Sequence, residues 1–235
     1  ITAASLITLE SKTSLSVTAT TASLISGTAA QIENIYTLSD NSRLSVSSSV
    51  GLSISDTSVS VSDINELSEK TTGSIAATIT AGSYSDLLNL SETTNAYDLS
   101  VTGSITVDQV NILSARTTGT ITATVSDTSV TELATLDEHG HALSITIATS
   151  AVTSAQLTAI NDATSSTITA TSVQSISGTA SEINTAYASG YTGLGNETIT
   201  LTDTSVAASA LNTLDTNTSG SISAANVTTV TGTLS

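Results

Sequence analysis

The chain contains no proline, cysteine, methionine, tryptophan or phenylalanine, and only 4 of its 235 residues are lysine or arginine. Each absence excludes something. Without cysteine there is no disulfide framework, thiol nucleophile or thiolate metal site. Four cations cannot build a basic nucleic-acid surface, so no nucleic-acid partner is expected. Two histidines, His139 and His141, are too few for a multi-histidine metal site. No apolar run approaches the roughly 20 residues of a membrane span. P-loop, Gly-x-Gly-x-x-Gly and Gly-x-Ser-x-Gly phrases are also missing. These gaps lead to the expectation of a non-enzymatic chain with no cofactor.

What is present is acid and hydroxyl. There are 20 aspartates and glutamates, a formal net charge of −16, and 90 serines and threonines. Such a composition resembles a disordered or mucin-like chain. The hydrophobic fraction is 38%, however, and consists of Ile, Leu, Val and Ala at regular points. With no proline, that pattern predicts a folded chain.

Three phrases recur. One is Leu-x-x-Leu-acidic-x-x-Thr-x-Gly-x-Ile, fullest at Leu211, Leu214, Asp215, Thr218, Gly220 and Ile222. It returns at Ile64, Leu67, Thr71, Gly73, Ile75 and at Val110, Leu113, Thr117, Gly119, Ile121. A second, Ile/Val-Ser/Thr-Gly-Thr, stands at 25–28, 176–179 and 230–233. The first two copies continue similarly, to Tyr36 and Tyr187. The third phrase, Asp-Thr-Ser-Val, begins at Asp56, Asp127 and Asp203.

Self-similarity of this kind belongs to stacked architectures. Residues 197–221 suggest the unit. Glu197 to Thr202 alternates polar and apolar like a strand, and Asp203 to Ser205 reads as a turn. Val206, Ala210, Leu211 and Leu214 make one stripe of a short helix. Gly220 is placed at a corner where a positive φ is expected. Helices are predicted near 3–11, 28–38, 62–70, 84–92, 107–115, 129–137, 152–162, 179–188 and 206–215. Lys12, Lys70 and Arg116 fall at helix C-termini, where a cation meets the negative end of the dipole. The fold expected is a parallel β-solenoid with one short strand and one short helix per coil, in about nine coils of 16–31 residues. Residues 1–235 are read as one continuous segment, opening at Ile1 and stopping inside a phrase at Ser235, and thus as a piece of a longer repeat protein.

The candidate site is a surface. Hydroxyl pairs flank the strand apolar positions: Thr120/Thr122, Ser144/Thr146, Thr167/Thr169 and Thr198/Thr200 are the clearest. Alternation turns the apolar residue in and both hydroxyls out, so stacked coils are expected to carry two hydroxyl ladders. Threonine is also simply a good strand residue. Asp215-x-Asn217-x-Ser219-Gly220 resembles the front of a calcium loop, but Asn226 stands where a bidentate Glu is needed. A helix-end turn explains it better. The His139-Gly140-His141 stretch reads as a solvated loop. Glycosylation sequons occur at Asn89, Asn196, Asn217 and Asn226.

The phrases at 211–222, 176–183 and 184–187 resemble the Ser/Thr-rich repeats of very large bacterial cell-surface proteins, especially those of marine cyanobacteria. The resemblance implies secretion and a structural or adhesive role. The function expected is therefore a structural, non-catalytic segment of an extracellular surface fibre, sheath or adhesin. Its expected partners are like chains, in a fibre or sheet, and polysaccharide in the alternative reading of the hydroxyl ladders.

Overall fold

A computed structural model describes residues 1–137 and 140–232. Helices form where the stripes place them: α1 Ala3–Ser11, α2 Ala29–Asp40, α3 Val61–Ser68, α4 Tyr84–Leu87, α5 Val107–Ser114, α6 Val130–Leu133, α7 Ser154–Ala163, α8 Ala180–Ala188 and α9 Ala208–Asn217. Each is short, and short helices are marginal alone. Hydroxyl caps define where several begin. Thr28 with Gln31, Ser83 with Asp86, Thr153 with Gln156 and Thr179 with Glu182 form reciprocal capping boxes.

The strands depart from expectation. Those of the first half are β1 Val17–Ala19, β2 Leu24–Gly27, β3 Leu44–Val46, β4 Gly51–Ile54, β5 Ile75–Thr78, β6 Ala96–Ile105 and β7 Ile121–Val125. Then follow β8 Ala142–Ser144, β9 Ala151–Thr153, β10 Ile168–Thr169, β11 Ser175–Gly178, β12 Tyr191–Thr192, β13 Thr198–Leu201, β14 Ser205–Ala207, β15 Ile222–Ser223 and β16 Thr229–Thr231. The largest sheet has six strands in the order β2-β4-β5-β6-β7-β8, and a four-stranded sheet runs β15-β13-β11-β9. Three two-stranded sheets pair β1 with β3, β10 with β12 and β14 with β16. The chain is thus an α/β fold on a six-stranded parallel sheet with several smaller sheets. It is not a β-solenoid with one strand per coil.

The physical reason lies in the second phrase. Ile-Ser-Gly-Thr has little strand propensity, since Ser and Gly fill half of it. It nevertheless forms β2 and β11, because the main chain pairs with strands further along. Ile25 pairs with Leu52, and Ile176 with Ile199. Glycine is needed there: a Cβ on Gly178 would sit 2.0 Å from Ser154 Oγ. Counting only the strands after Thr-x-Gly misses these. It also misassigns Ile168, which aligns with Tyr191 in its own small sheet and not with Ile199.

The chain divides into two compact units, Ile1–Gly103 with Ile112–Thr122, and Ser104–Asn111 with Ala123–Ser235. The first is filled by Leu6, Ile25, Ile32, Ile35, Leu52, Ile64, Ile75 and Tyr97. The second is filled by Leu143, Leu157, Ile160, Ile183, Ile199 and Leu214. Each fully buried Leu or Ile contributes about 1.5–3 kcal/mol by leaving water.

Candidate functional site

The expected hydroxyl surface is distributed over separate sheets. Thr120 and Thr122 flank buried Ile121 on β7, and Ser144 ends β8, both strands of the six-stranded sheet. Thr146 forms a parallel bridge with Thr169, which lies on β10 with Thr167 just before it. Thr198 and Thr200 lie on β13 of the four-stranded sheet. All eight are exposed except half-buried Thr169. Alternation points them outward, but they do not stand in two continuous rows.

The register reveals a row of different membership. Thr153, Ser177, Thr200 and Ser223 lie opposite one another across β9, β11, β13 and β15, at about 4.8 Å per strand. Thr153 spends its hydroxyl on the α7 cap. Ser177 and Thr200 line a shallow hollow of about 200 Å³ with Gln156 and Ser175. Ser177 escaped sequence reasoning because its phrase was not recognised as a strand.

The recurring polar residues have another use. Thr71, Thr117 and Thr218, the threonines of Thr-x-Gly, are buried. Each donates its hydroxyl to a carbonyl 20 or 21 residues earlier: Val50 at 2.6 Å, Tyr97 at 2.7 Å and Glu197 at 2.8 Å. Each also accepts the N–H of its own glycine, at 2.9–3.0 Å. Thr164 does the same with Leu143 and Ser166, without a glycine to advertise it. The glycines serve close approach and not positive φ. A Cβ on Gly220 would lie 2.1 Å from the Glu197 carbonyl oxygen, and one on Gly73 2.4 Å from that of Val50.

The Asp-Thr-Ser-Val phrase caps helices from a distance. Asp56, Asp127 and Asp203 accept the first backbone N–H of α2, α5 and α8, respectively, at 2.7–2.8 Å. A carboxylate there satisfies an orphan donor and meets the positive end of the dipole. Asn65 and Asn111 each bridge forward, to Asn89 and Ser91 and to Thr135 and Asp137. Arg116 donates to the Leu88 and Leu90 carbonyls at the end of α4. Arg43 pairs with Glu10 and also reaches the Thr13 carbonyl.

Among the described residues one buried carboxyl, that of Glu197, has no cation beside it. Glu197 is fully buried, accepts the Gly195 N–H and takes the Tyr187 hydroxyl at 2.7 Å. Burial first, then the bond to Glu197, raises the Tyr187 pKa above its ordinary range. Gly195 holds φ +137 to present that N–H, a conformation that glycine adopts freely. Tyr36 occupies the same place in the sister phrase, where Val50 replaces Glu197. Its hydroxyl is buried without a partner. Neighbouring Thr71 spends its hydroxyl on Val50 and Gly73.

Asp215 and Asn217 are in the last turns of α9, so the calcium-like phrase is a helix end. Among the described residues no group of three or more His, Asp or Glu is arranged to hold a metal ion. His139 lies outside the described residues. His141 is buried and bridges Thr164, where a solvated loop was expected. Asn89, Asn196 and Asn226 are exposed, and Asn217 is half-buried against Asn184. No helix among the described residues is long and apolar enough to cross a membrane. No family model, curated protein or solved structure matches the chain.

Proposed function

We propose that the chain is a non-catalytic structural element of an extracellular fibre, sheath or adhesin, associating with copies of itself. The observation that carries this reading is the use made of the recurring polar side chains. The Thr of Thr-x-Gly and the Asp of Asp-Thr-Ser-Val bond main-chain atoms 20–27 residues away. What recurs in the sequence is therefore what holds neighbouring segments together. The resemblance of the phrases to bacterial cell-surface proteins supports the same compartment. Labelling intact and permeabilised source cells with an antibody to this chain tests it: signal on intact cells is expected, and signal confined to the cytoplasm overturns the reading.

A second reading is polysaccharide binding by outward hydroxyls, favoured by the Ser177 and Thr200 hollow. Thr200→Val and Ser177→Ala together are then expected to abolish retention on a polysaccharide column. Undiminished retention refutes it.

A further inference from the structure

We infer that a cleft in the first unit, between the turns 68–74 and 91–95, binds a neutral saccharide. Such binding needs neither a surface location nor the Ser177 and Thr200 hollow, and so lies beyond the function proposed above. The two turns lead into the neighbouring strands β5 and β6, which pair from Ala76 and Ala96 onward. Four such pairs of turns close on each other. The residue after each buried threonine donates its N–H to a carbonyl of the adjacent turn: Thr72 to Ser48 at 2.8 Å, Thr118 to Asn95 at 3.0 Å, Ser165 to His141 at 2.8 Å and Ser219 to Gly195 at 2.8 Å. Between 68–74 and 91–95 no main-chain hydrogen bond forms among the described residues. The 91–95 turn has no Thr-x-Gly to supply one. The buried Asn95 carboxamide takes the place instead, accepting the Ile75 N–H at 2.7 Å and donating to the Tyr97 hydroxyl at 2.7 Å. A side chain therefore stands between main chains that touch in the other pairs, and it holds these turns apart. The gap is a cleft of about 660 Å³, and every residue lining it is polar or glycine.

The lining chemistry selects the ligand. Glu69, Lys70, Ser74, Glu92 and Thr94 line the cleft and are exposed. Among the described residues none of the three charged groups makes an ion pair. Arg43 and Arg116, in the matching place, spend their guanidinium groups on main-chain carbonyls, whereas the Lys70 ammonium is left facing the cleft. An ammonium only donates, a carboxylate only accepts, and a hydroxyl does both. A ring carrying several hydroxyls answers all three, and its bonds to the charged groups are the strong ones. The volume falls within the roughly 300–1,000 Å³ of small-molecule sites, but the apolar and aromatic lining that holds an apolar ligand is missing. Two carboxylates against one ammonium disfavour phosphates and uronates, and no three carboxylates are placed together for a metal ion among the described residues.

Heteronuclear NMR of the full chain tests the assignment, with titration of short neutral oligosaccharides of glucose, mannose or galactose and, separately, of oligogalacturonate. At least one neutral oligosaccharide is expected to bind and to shift amide signals in 68–74 and 92–95. Lys70→Ala and Glu92→Ala, both at exposed positions, should each weaken that binding about tenfold with an unchanged urea midpoint. Ser177→Ala with Thr200→Val should leave it intact. The assignment is overturned if no neutral oligosaccharide binds, if binding is undiminished in either cleft variant, or if oligogalacturonate is bound in preference. None of these results depends on where antibody labelling finds the chain, so the cleft and the structural reading fail separately.

Discussion

The two sister tyrosines make opposite predictions for the same substitution. Tyr187→Phe deletes the hydroxyl that donates to the fully buried Glu197 carboxyl, leaving that group one bond short. An unsatisfied buried polar group costs about 1–3 kcal/mol, more if it carries charge. Tyr36→Phe deletes a buried hydroxyl that has no partner. It removes a desolvation cost and keeps the ring packing, so stability is expected to hold or rise by up to about 1 kcal/mol. Urea unfolding followed by circular dichroism reads both. In heat the difference appears as roughly 2–4 °C per kcal/mol for a chain of this length. The reasoning is refuted if Tyr36→Phe destabilises as much as Tyr187→Phe. That outcome would mean the ring positions, and not the Glu197 bond, set the two contributions.

Other substitutions probe the close approaches and the caps. Gly220→Ala forces a Cβ onto the Glu197 carbonyl oxygen and is expected to cost more than about 2 kcal/mol by strain and lost pairing, whereas Gly103→Ala meets no atom within 4 Å and is strained only by its φ of +83; chemical denaturation ranks the two. Asp203→Ala exposes the first N–H of α8 and should cost about 0.5–2 kcal/mol, read as a lower urea midpoint. Burial raises the Tyr97 pKa from 10.0 to about 12. The folded state thus holds that proton more tightly than the unfolded chain, so its contribution is complete below 10 and lost as pH rises towards 12; an alkaline titration of stability should fall in that window, and Tyr97→Phe should flatten it. Backbone and hydroxyl bonds from Thr179 depress the Glu182 pKa, so the cap of α8 contributes above the ordinary carboxylate value and is lost as pH falls through the depressed one. Glu182→Gln should remove that acid limb from the stability curve.

Helices were legible in the sequence because their signals are side-chain signals: Leu stripes such as Leu211 and Leu214, hydroxyl caps such as Thr28, and cations such as Lys12 at the end. The strands were less so. β2 and β11 exist because main-chain groups find partners 23–27 residues away, and no local propensity in Ser-Gly announces that. Seven of the eight hydroxyl residues are exposed and Thr169 is half-buried, but how they group depends on register. Ile168 and Ile199 look alike in sequence and differ only in which strand lies beside them. Thr71 and Thr218 were visible as recurring letters, but their burial and carbonyl bonds were not. Glu197 was read as a strand-start polar residue, whereas its pairing with Tyr187 depends on where α8 ends.

The buried threonines of Thr-x-Gly carry a consequence for how such a chain tolerates change. Their acceptors at Val50, Tyr97 and Glu197 are backbone carbonyls, so the side chains at those three positions are free to differ as much as valine, tyrosine and glutamate do. A lock that recognises only main chain fits any neighbour. Between locks, segments can lengthen or shorten, as the 20- to 27-residue separations of paired strands already do. The fold is therefore expected to accept insertions in its exposed turns and wholesale exchange of surface serines and threonines. It is expected to reject a single added methyl at Gly73, Gly119 or Gly220. A deep substitution library of the chain should show that contrast as a few intolerant letters in a permissive background.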